Sequence, residues 1–233
     1  MRGRQLTATG GADMAAWLAA NRLTVAQCLP LVGPADAPAK VADPPFDRDG
    51  LWPGVAMALA RALPQAGPLL ARLAEGAQVD LAPDPHRFPR AFTLGDDGRG
   101  MPLISCPVRG RLSDVLRLAH EVGHACQYLA AGRADLPPIL RETAALVAEG
   151  LVCRPEALPR PDLAALTKAR RQRLIARHAG PLRAALRDPA AAYDYGWNYP
   201  PAVALADRVL GDTALCWQVM AGRITPNALL PGP

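Results

Sequence analysis

Apolar residues recur at helical spacing over residues 113–132, around two histidines that lie four residues apart, His120 and His124. Side chains at positions i and i+4 project from one face of an α-helix, so both imidazoles can bind a single metal ion. Glu121 follows the first histidine, where its carboxylate can take a proton from a water molecule bound to that ion. The segment therefore predicts a helix that carries part of a zinc site.

The next predicted helix is expected to supply the third protein ligand. It begins at Pro137-Pro138 and carries Glu142 and Glu149, which are seven residues, or about two turns, apart and so share one face. The turn between the two helices is long enough to fold the second back across the first. We expect Glu142 to bind the metal and Glu149 to orient one of the histidines. In the alternative interpretation, both glutamates are surface carboxylates.

The order of predicted elements indicates a mainly α fold with a small antiparallel β element, an α+β class. Short helices between proline-rich connections fill the first 75 residues, strand-like segments follow at 78–81, 91–94 and 101–108, and helices fill the rest. We divide the chain into an N-terminal helical region of unknown role, 1–85, and a catalytic domain, 86–233. The two could also form one compact unit.

Two local features position the predicted elements. Pro102 and Pro107 cannot donate backbone hydrogen bonds, so the strand at 101–108 is expected at an edge of the sheet. Ser113 and Asp114 precede the apolar spacing of the histidine helix. They are expected to act as its N-cap and its acidic first turn.

Composition argues against several functional classes. The net charge is +5, but the densest basic run, 168–178, has apolar residues at helical spacing and no aromatic residue. It is interpreted as the solvated face of a long helix and not as a nucleic-acid surface. No uncharged apolar stretch of about 18 residues occurs, so no membrane span is expected.

The cysteines and the first residues both favour a cytoplasmic location. The five cysteines are widely spaced and form no Cys-x-x-Cys pair, which is typical of reduced, buried thiols. Residues 1–11 contain basic side chains but no compact apolar region of a signal peptide.

Residues 102–125 resemble the catalytic core of the gluzincin peptidases of the oligopeptidase F and thimet oligopeptidase type. The similarity includes a strand, a short loop and the segment Leu-Ala-His-Glu-Val-Gly-His. Glu142 and Glu149 have the spacing of two glutamates in that family, of which the first binds zinc. The interval from His124 to Glu142 is several residues shorter than usual, so the connecting loop must be trimmed. The resemblance implies a zincin-like catalytic domain that holds one zinc ion and hydrolyses peptide bonds.

A segment rich in tyrosine, 192–199 (the tyrosine segment), is similar to the family's Gly-Tyr-x-Ala-Gly-Tyr-Tyr. In the family these tyrosines donate hydrogen bonds to the developing oxyanion. Tyr193 aligns with the first of them, and Tyr199 lies one position before the last. The family's histidine before the segment is absent, because Asp188 stands there and His178 is too far upstream to align. An aromatic cluster that closes the core is the alternative interpretation.

The resulting hypothesis is a zinc-dependent metallopeptidase that acts on peptides or on a dedicated precursor. Glu121 is the expected general base, and Tyr193 and Tyr199 are the expected oxyanion donors. The predicted edge strand could pair with an extended substrate. The first 85 residues are much shorter than the helical lobe of the family, so the groove is either shallow or completed by a second copy or a partner protein.

Two other hypotheses stay open at this point. One is a non-catalytic, zinc-containing pseudoenzyme that binds peptides, and the absent histidine favours it. The other is a helical scaffold in which the histidine motif is coincidental.

Overall fold

Two long helices, α5 (Ser113–Ala131) and α6 (Pro138–Val152), form the centre of the fold and pack closely against each other. A computed structural model describes residues 13–34, 37–76, 78–82, 89–96, 98, 100–132 and 135–230. The other helices of these residues are α1 (Met14–Asn21), α2 (Val25–Cys28), α3 (Leu51–Ala62), α4 (Gly67–Glu75), α7 (Pro161–Ala185), α8 (Tyr199–Val209) and α9 (Thr213–Met220). The predicted mainly α class is confirmed.

Local residue chemistry explains where the two central helices begin and end. α5 begins at Ser113, but its first turn is capped by Asp43, whose carboxylate accepts hydrogen bonds from the Ser113 amide (2.8 Å) and hydroxyl (2.6 Å). The N-cap position is Leu112, so the prediction of Ser113 as the N-cap is wrong by one position. Gly132 ends α5 with a φ of 64°, which glycine adopts without steric cost. α6 has Pro138 in its first turn, where no amide hydrogen is needed.

The small sheet is mixed, with the strand order β1-β3-β2. β1 (Val79–Asp80) is parallel to β3 (Leu103–Ser105), whereas β2 (Phe92–Leu94) is antiparallel to it. The predicted antiparallel arrangement holds for one of the two pairs. The prediction that residues 101–108 form an edge strand is wrong, because β3 is the central strand. Pro102 and Pro107 lie outside its three paired residues and do not interrupt the ladder.

The apolar core is continuous along the described chain, from Met14 on α1 to Leu229 near the end. α3 packs against both α5 and α6, and α8 packs against α6 on another side. The described residues of 1–85 therefore contact the two central helices directly. In this arrangement α5 and α6 are enclosed by other elements, which excludes water from much of their shared face.

The structure bears on several expectations about the chain as a whole. All five cysteines are buried, and none of them forms a disulfide. Among the described residues, no helix combines the length and the apolar character that a membrane crossing requires. Residues 1–11, on which the signal-peptide prediction rests, lie outside the described part of the chain. The basic run 168–178 lies within the long helix α7, which extends beyond it at both ends.

Candidate metal centre

Close packing of α5 against α6 brings the histidine motif to the glutamates. Gly123 lies at the contact, where a β-carbon would stand 2.7 Å from the Ala145 Cα and 2.9 Å from the Ala148 Cβ. Real side chains do not approach so closely, so the absence of a side chain at this position allows the two helices to meet. The glycine inside the histidine motif therefore has a packing role.

His120, His124 and Glu142 meet across this helix contact, and each offers a ligand atom within 4.8 Å of the others. The His120 Nε2 lies 3.5 Å from the Glu142 Oε2, and the His124 Nε2 lies 3.6 Å from the Glu142 Oε1. The two imidazole rings are nearly perpendicular, with centroids 4.9 Å apart. The predicted ligands are thus brought together by the fold.

The arrangement passes a test for a metal ion. The Glu142 Oε2 is buried, and no group in the described part of the chain donates a hydrogen bond to it. Ligand atoms that lie about 2.0–2.1 Å from a tetrahedral zinc ion are roughly 3.3 Å from one another. The two distances from histidine nitrogens to Glu142 oxygens, 3.5 Å and 3.6 Å, are close to that value. Two imidazole nitrogens and a carboxylate oxygen are also a donor set that catalytic zinc sites use. The residues present therefore fit zinc.

Glu149 fixes the orientation of His120. The His120 Nδ1 lies 2.7 Å from the Glu149 Oε1, and because a carboxylate can only accept, the proton resides on Nδ1. The Nε2 atom is then the one that faces Glu142. Burial lowers the pKa of His120, but the two neighbouring glutamates outweigh burial and raise the pKa to about 10. A metal ion at Nε2 would therefore replace a proton there.

Opposite charges keep the buried carboxylates ionised. Burial raises the pKa of Glu142, but the neighbouring imidazoles of His124 and His120 outweigh burial and lower it to about 2. For Glu149, burial again raises the pKa, and the charge of Arg170 together with His120 holds it below the usual range. Burial lowers the pKa of His124, which favours the neutral imidazole that a metal requires.

Arg170 on α7 forms an ion pair with Glu149. Its Nε lies 3.1 Å and 3.0 Å from the two carboxylate oxygens of Glu149. The neighbouring Arg171 pairs with Asp207 of α8. The basic run of α7 is therefore not a solvated face at these two positions, which corrects the prediction. Arg170 completes a chain of contacts from α7 through Glu149 to His120.

Glu121 takes its partner from the sheet. The Thr93 hydroxyl of β2 lies 2.8 Å from the Glu121 Oε2 and 2.9 Å from its backbone carbonyl oxygen. The glutamate side chain is only 7% exposed, so this hydroxyl compensates part of its desolvation. β2 thus restrains the carboxylate that is the expected general base.

The tyrosine segment reaches the centre through a residue that the sequence did not single out. The Tyr195 hydroxyl donates a hydrogen bond to the Glu142 Oε1. The Tyr193 hydroxyl instead accepts from the Asn198 Nδ2 at 2.8 Å, which leaves its own proton free to be donated. Tyr193 also packs edge-on against Trp197, with ring centroids 5.7 Å apart.

Tyr199 lies between the metal centre and α7. Its ring is 5.9 Å from that of Tyr195 and 5.3 Å from that of His178. Burial raises the pKa of Tyr199, and the negative charge of Glu142 acts in the same direction, so the phenol stays protonated. His178, although far from the segment in sequence, is therefore brought to it by α7.

Solved structures show the fold to which this architecture corresponds. A structure described as an oligoendopeptidase F, solved at 3.1 Å, matches 94% of this chain with a TM-score of 0.58 and 16% identity. This chain has the oligoendopeptidase F fold. An oligoendopeptidase F from Bacillus anthracis strain Ames matches 91% of it with a TM-score of 0.55 and 12% identity. PZ peptidase A, solved with an inhibitor, matches 99% of it with a TM-score of 0.57 and 12% identity.

The match to the oligoendopeptidase F fold is structural. No protein-family model and no curated protein sequence matches the chain. The chain spans about half the length of the solved structures, which it covers to 53%, 48% and 54%. At this level of identity the similarity establishes the fold alone.

Proposed function

We propose that this chain is a metallopeptidase that hydrolyses peptide bonds with one zinc ion held by His120, His124 and Glu142. The observation that carries the proposal is the convergence of these three ligand atoms within 4.8 Å across the contact of α5 with α6. A coincidental motif on a scaffold helix gives no reason for a buried glutamate from another helix to face both histidines. The peptidase identity of the structurally similar proteins supports the reaction class.

The residues around the centre suit hydrolysis. Bound zinc supplies a Lewis acid for the attacking water and for the substrate carbonyl. Glu121, restrained by Thr93, accepts a proton from the attacking water and passes it to the amine that leaves. Tyr193 keeps a free hydroxyl proton, and Tyr199 is held protonated, so both suit a developing oxyanion.

An extended peptide is the proposed substrate, and β2 is the strand where it is expected to pair. β2 is an edge strand in the order β1-β3-β2, whereas β3 is enclosed by its two neighbours. β2 also carries Thr93, which contacts the general base, so a substrate backbone aligned with this strand would pass close to Glu121. Backbone pairing of this kind depends little on side-chain sequence.

The test compares wild type with the Glu121→Gln variant on a mixed peptide pool, with cleavage read by mass spectrometry. The amide cannot accept the proton, so turnover should fall by about 10²- to 10⁴-fold while one zinc ion per chain remains bound. Glu156→Gln is the matched control, because Glu156 is exposed and its side chain lies outside the centre. That variant should cleave at the wild-type rate.

The outcomes separate the competing functions. Cleavage by wild type and by Glu156→Gln, but not by Glu121→Gln, supports the peptidase. Equal cleavage by all three proteins would show that Glu121 is not the base. Bound zinc without cleavage by any of the three proteins would favour the non-catalytic peptide-binding alternative. In that case, loss of zinc on mutation of His124 would still show that the ion binds at this centre.

A further inference from the structure

Arg141 is a cation at the edge of the metal centre that has no partner among the described residues. It precedes Glu142 on α6, and its side chain is half-buried. Its Nε is buried and has no hydrogen-bond partner. No ion pair links its guanidinium to a carboxylate within the described chain, and the adjacent Glu142 pairs instead with the two histidines.

Arg117 and Arg171 also have a buried Nε without a partner, but each forms an ion pair through another nitrogen of its guanidinium. Arg170 pairs with Glu149, Arg171 pairs with Asp207, and Arg154 donates to the carbonyl oxygen of Leu210. A buried polar group without a partner is destabilising, so proteins usually satisfy such groups. Arg141 differs from these arginines because no nitrogen of its guanidinium has a partner among the described residues, which leaves the group available to a partner from outside the chain.

The position of Arg141 connects it to the metal centre. Burial lowers the pKa of His124, and the positive charges of His120 and Arg141 act in the same direction. Burial raises the pKa of Tyr193 and of Tyr195, and Arg141 opposes both shifts. Arg141 also directly precedes the ligand Glu142 on α6, and the Tyr195 hydroxyl contacts Glu142, so Arg141 lies at the edge of the centre where the proposed substrate would pass.

We propose that Arg141 binds a carboxylate of the substrate peptide, next to the residues that surround the scissile bond. A guanidinium presents parallel N–H donors that match a carboxylate in a bidentate geometry. The three glutamates of the centre already have histidine, tyrosine, threonine or arginine partners. The carboxylate can be the C-terminus of the peptide or an acidic side chain. This inference rests on the proposed peptidase function.

The test measures binding, so that it does not depend on turnover. Zinc-loaded Glu121→Gln protein is titrated into fluorescein-labelled Ala-Ala-Phe-Ala-Ala, and anisotropy gives the Kd. The peptide is supplied as the free acid, as the C-terminal amide, and as a set of amides with glutamate at each position in turn. The same titrations are run with Glu121→Gln proteins that carry a second substitution, either Arg141→Gln or Arg141→Lys. Arg208→Gln, at an exposed position on α8, is the control substitution.

A peptide that carries the recognised carboxylate should bind about ten- to a hundredfold more tightly than the plain amide. Arg141→Gln should abolish that preference and leave binding of the plain amide unchanged. Arg141→Lys should retain part of it, because the charge remains and the planar pair of donors is lost. Preference for the free acid identifies the C-terminus, and preference for one glutamate peptide identifies an acidic side chain.

Equal affinity for all peptides, no measurable binding, or a preference that survives Arg141→Gln would overturn the inference. The zinc content of each variant reports whether Glu142 still binds the metal, and the thermal midpoint reports whether the fold is retained. Cleavage by wild type is recorded separately. Carboxylate-dependent binding without any cleavage would contradict the proposed reaction but support the role of Arg141.

Discussion

Three buried glutamates at the metal centre differ in the groups that compensate their charge. Burial of a carboxylate is costly unless hydrogen bonds or opposite charges replace its hydration. Glu121 is contacted by a hydroxyl, Glu142 by two imidazoles and a phenol, and Glu149 by an imidazole and a guanidinium. Glu121 has the weakest compensation of the three. A carboxylate contacted only by a neutral hydroxyl keeps oxygen lone pairs available to a water molecule, which suits a general base.

The phenols of Tyr195 and Tyr193 should have separable effects. Tyr195→Phe removes the donor to Glu142 and should weaken zinc binding about tenfold, since partners of metal ligands typically contribute 10- to 100-fold in affinity. Tyr193→Phe removes a proton that the fold leaves free and should lower kcat with zinc affinity unchanged. Competition with a chelating dye gives the zinc Kd, and peptide turnover gives kcat. A loss of zinc affinity in Tyr193→Phe alone would reverse these roles.

The residues predictable from sequence are those whose partner lies at helical spacing. His120, His124 and the glutamate pair obey the 3.6-residue period, so one face of each helix could be assigned in advance. Thr93 and Arg170 contact the same centre from elements far away in the chain, and no local pattern marks them. The role of Arg170 is also hard to predict because a basic run on a long helix normally faces solvent.

At the scale of elements, the contact between α5 and α6 positions the ligands. α5 supplies both histidines and α6 supplies Glu142, so a change in the spacing of the helices changes the distances between ligand atoms. Small residues on both sides, Gly123 facing Ala145 and Ala148, allow this close approach. Closely packed interiors respond to even a single added methyl group.

Gly123→Ala should therefore destabilise the protein by about 1–3 kcal/mol, the usual cost of overpacking, and weaken zinc binding together with stability. Alanine has the higher helix propensity, which offsets at most about 1 kcal/mol. Gly54→Ala on α3 is the matched control, because its β-carbon would meet nothing within 4 Å. Urea denaturation and zinc titration of both variants test the expectation. A Gly123→Ala protein as stable as Gly54→Ala would show that the helices can separate freely.

The sheet shows why strand position was harder to predict than helix position. Proline normally confines a strand to an edge, but here the two prolines flank a pairing of only three residues. Ile104 and Ser105 of β3 also pair with β1, whose residues lie more than twenty positions upstream. Because β1 and β3 are not consecutive strands joined by a hairpin turn, the local sequence carries no signal for their parallel pairing.

At the scale of the molecule, the centre lies where three layers meet. The sheet contributes Thr93 on one side, α5 and α6 contribute the ligands, and α7 with the tyrosine segment contributes the residues that face them. Each layer is separate in sequence, and the shared apolar core holds them in register. Binding at the centre should therefore stabilise the whole fold and not only the two central helices.

Zinc removal tests that coupling. A ligand at about 100 times its Kd stabilises the native state by about 2.7 kcal/mol, which for a chain of this size corresponds to a rise in Tm of roughly 5–10 °C. Dialysis against a chelator should lower Tm by that amount in a single transition, and added zinc should restore it. His124→Gln, which lacks one ligand, should show little or no shift. A two-step transition on chelation would mean that the layers unfold independently, and an equal shift in His124→Gln would place the zinc elsewhere.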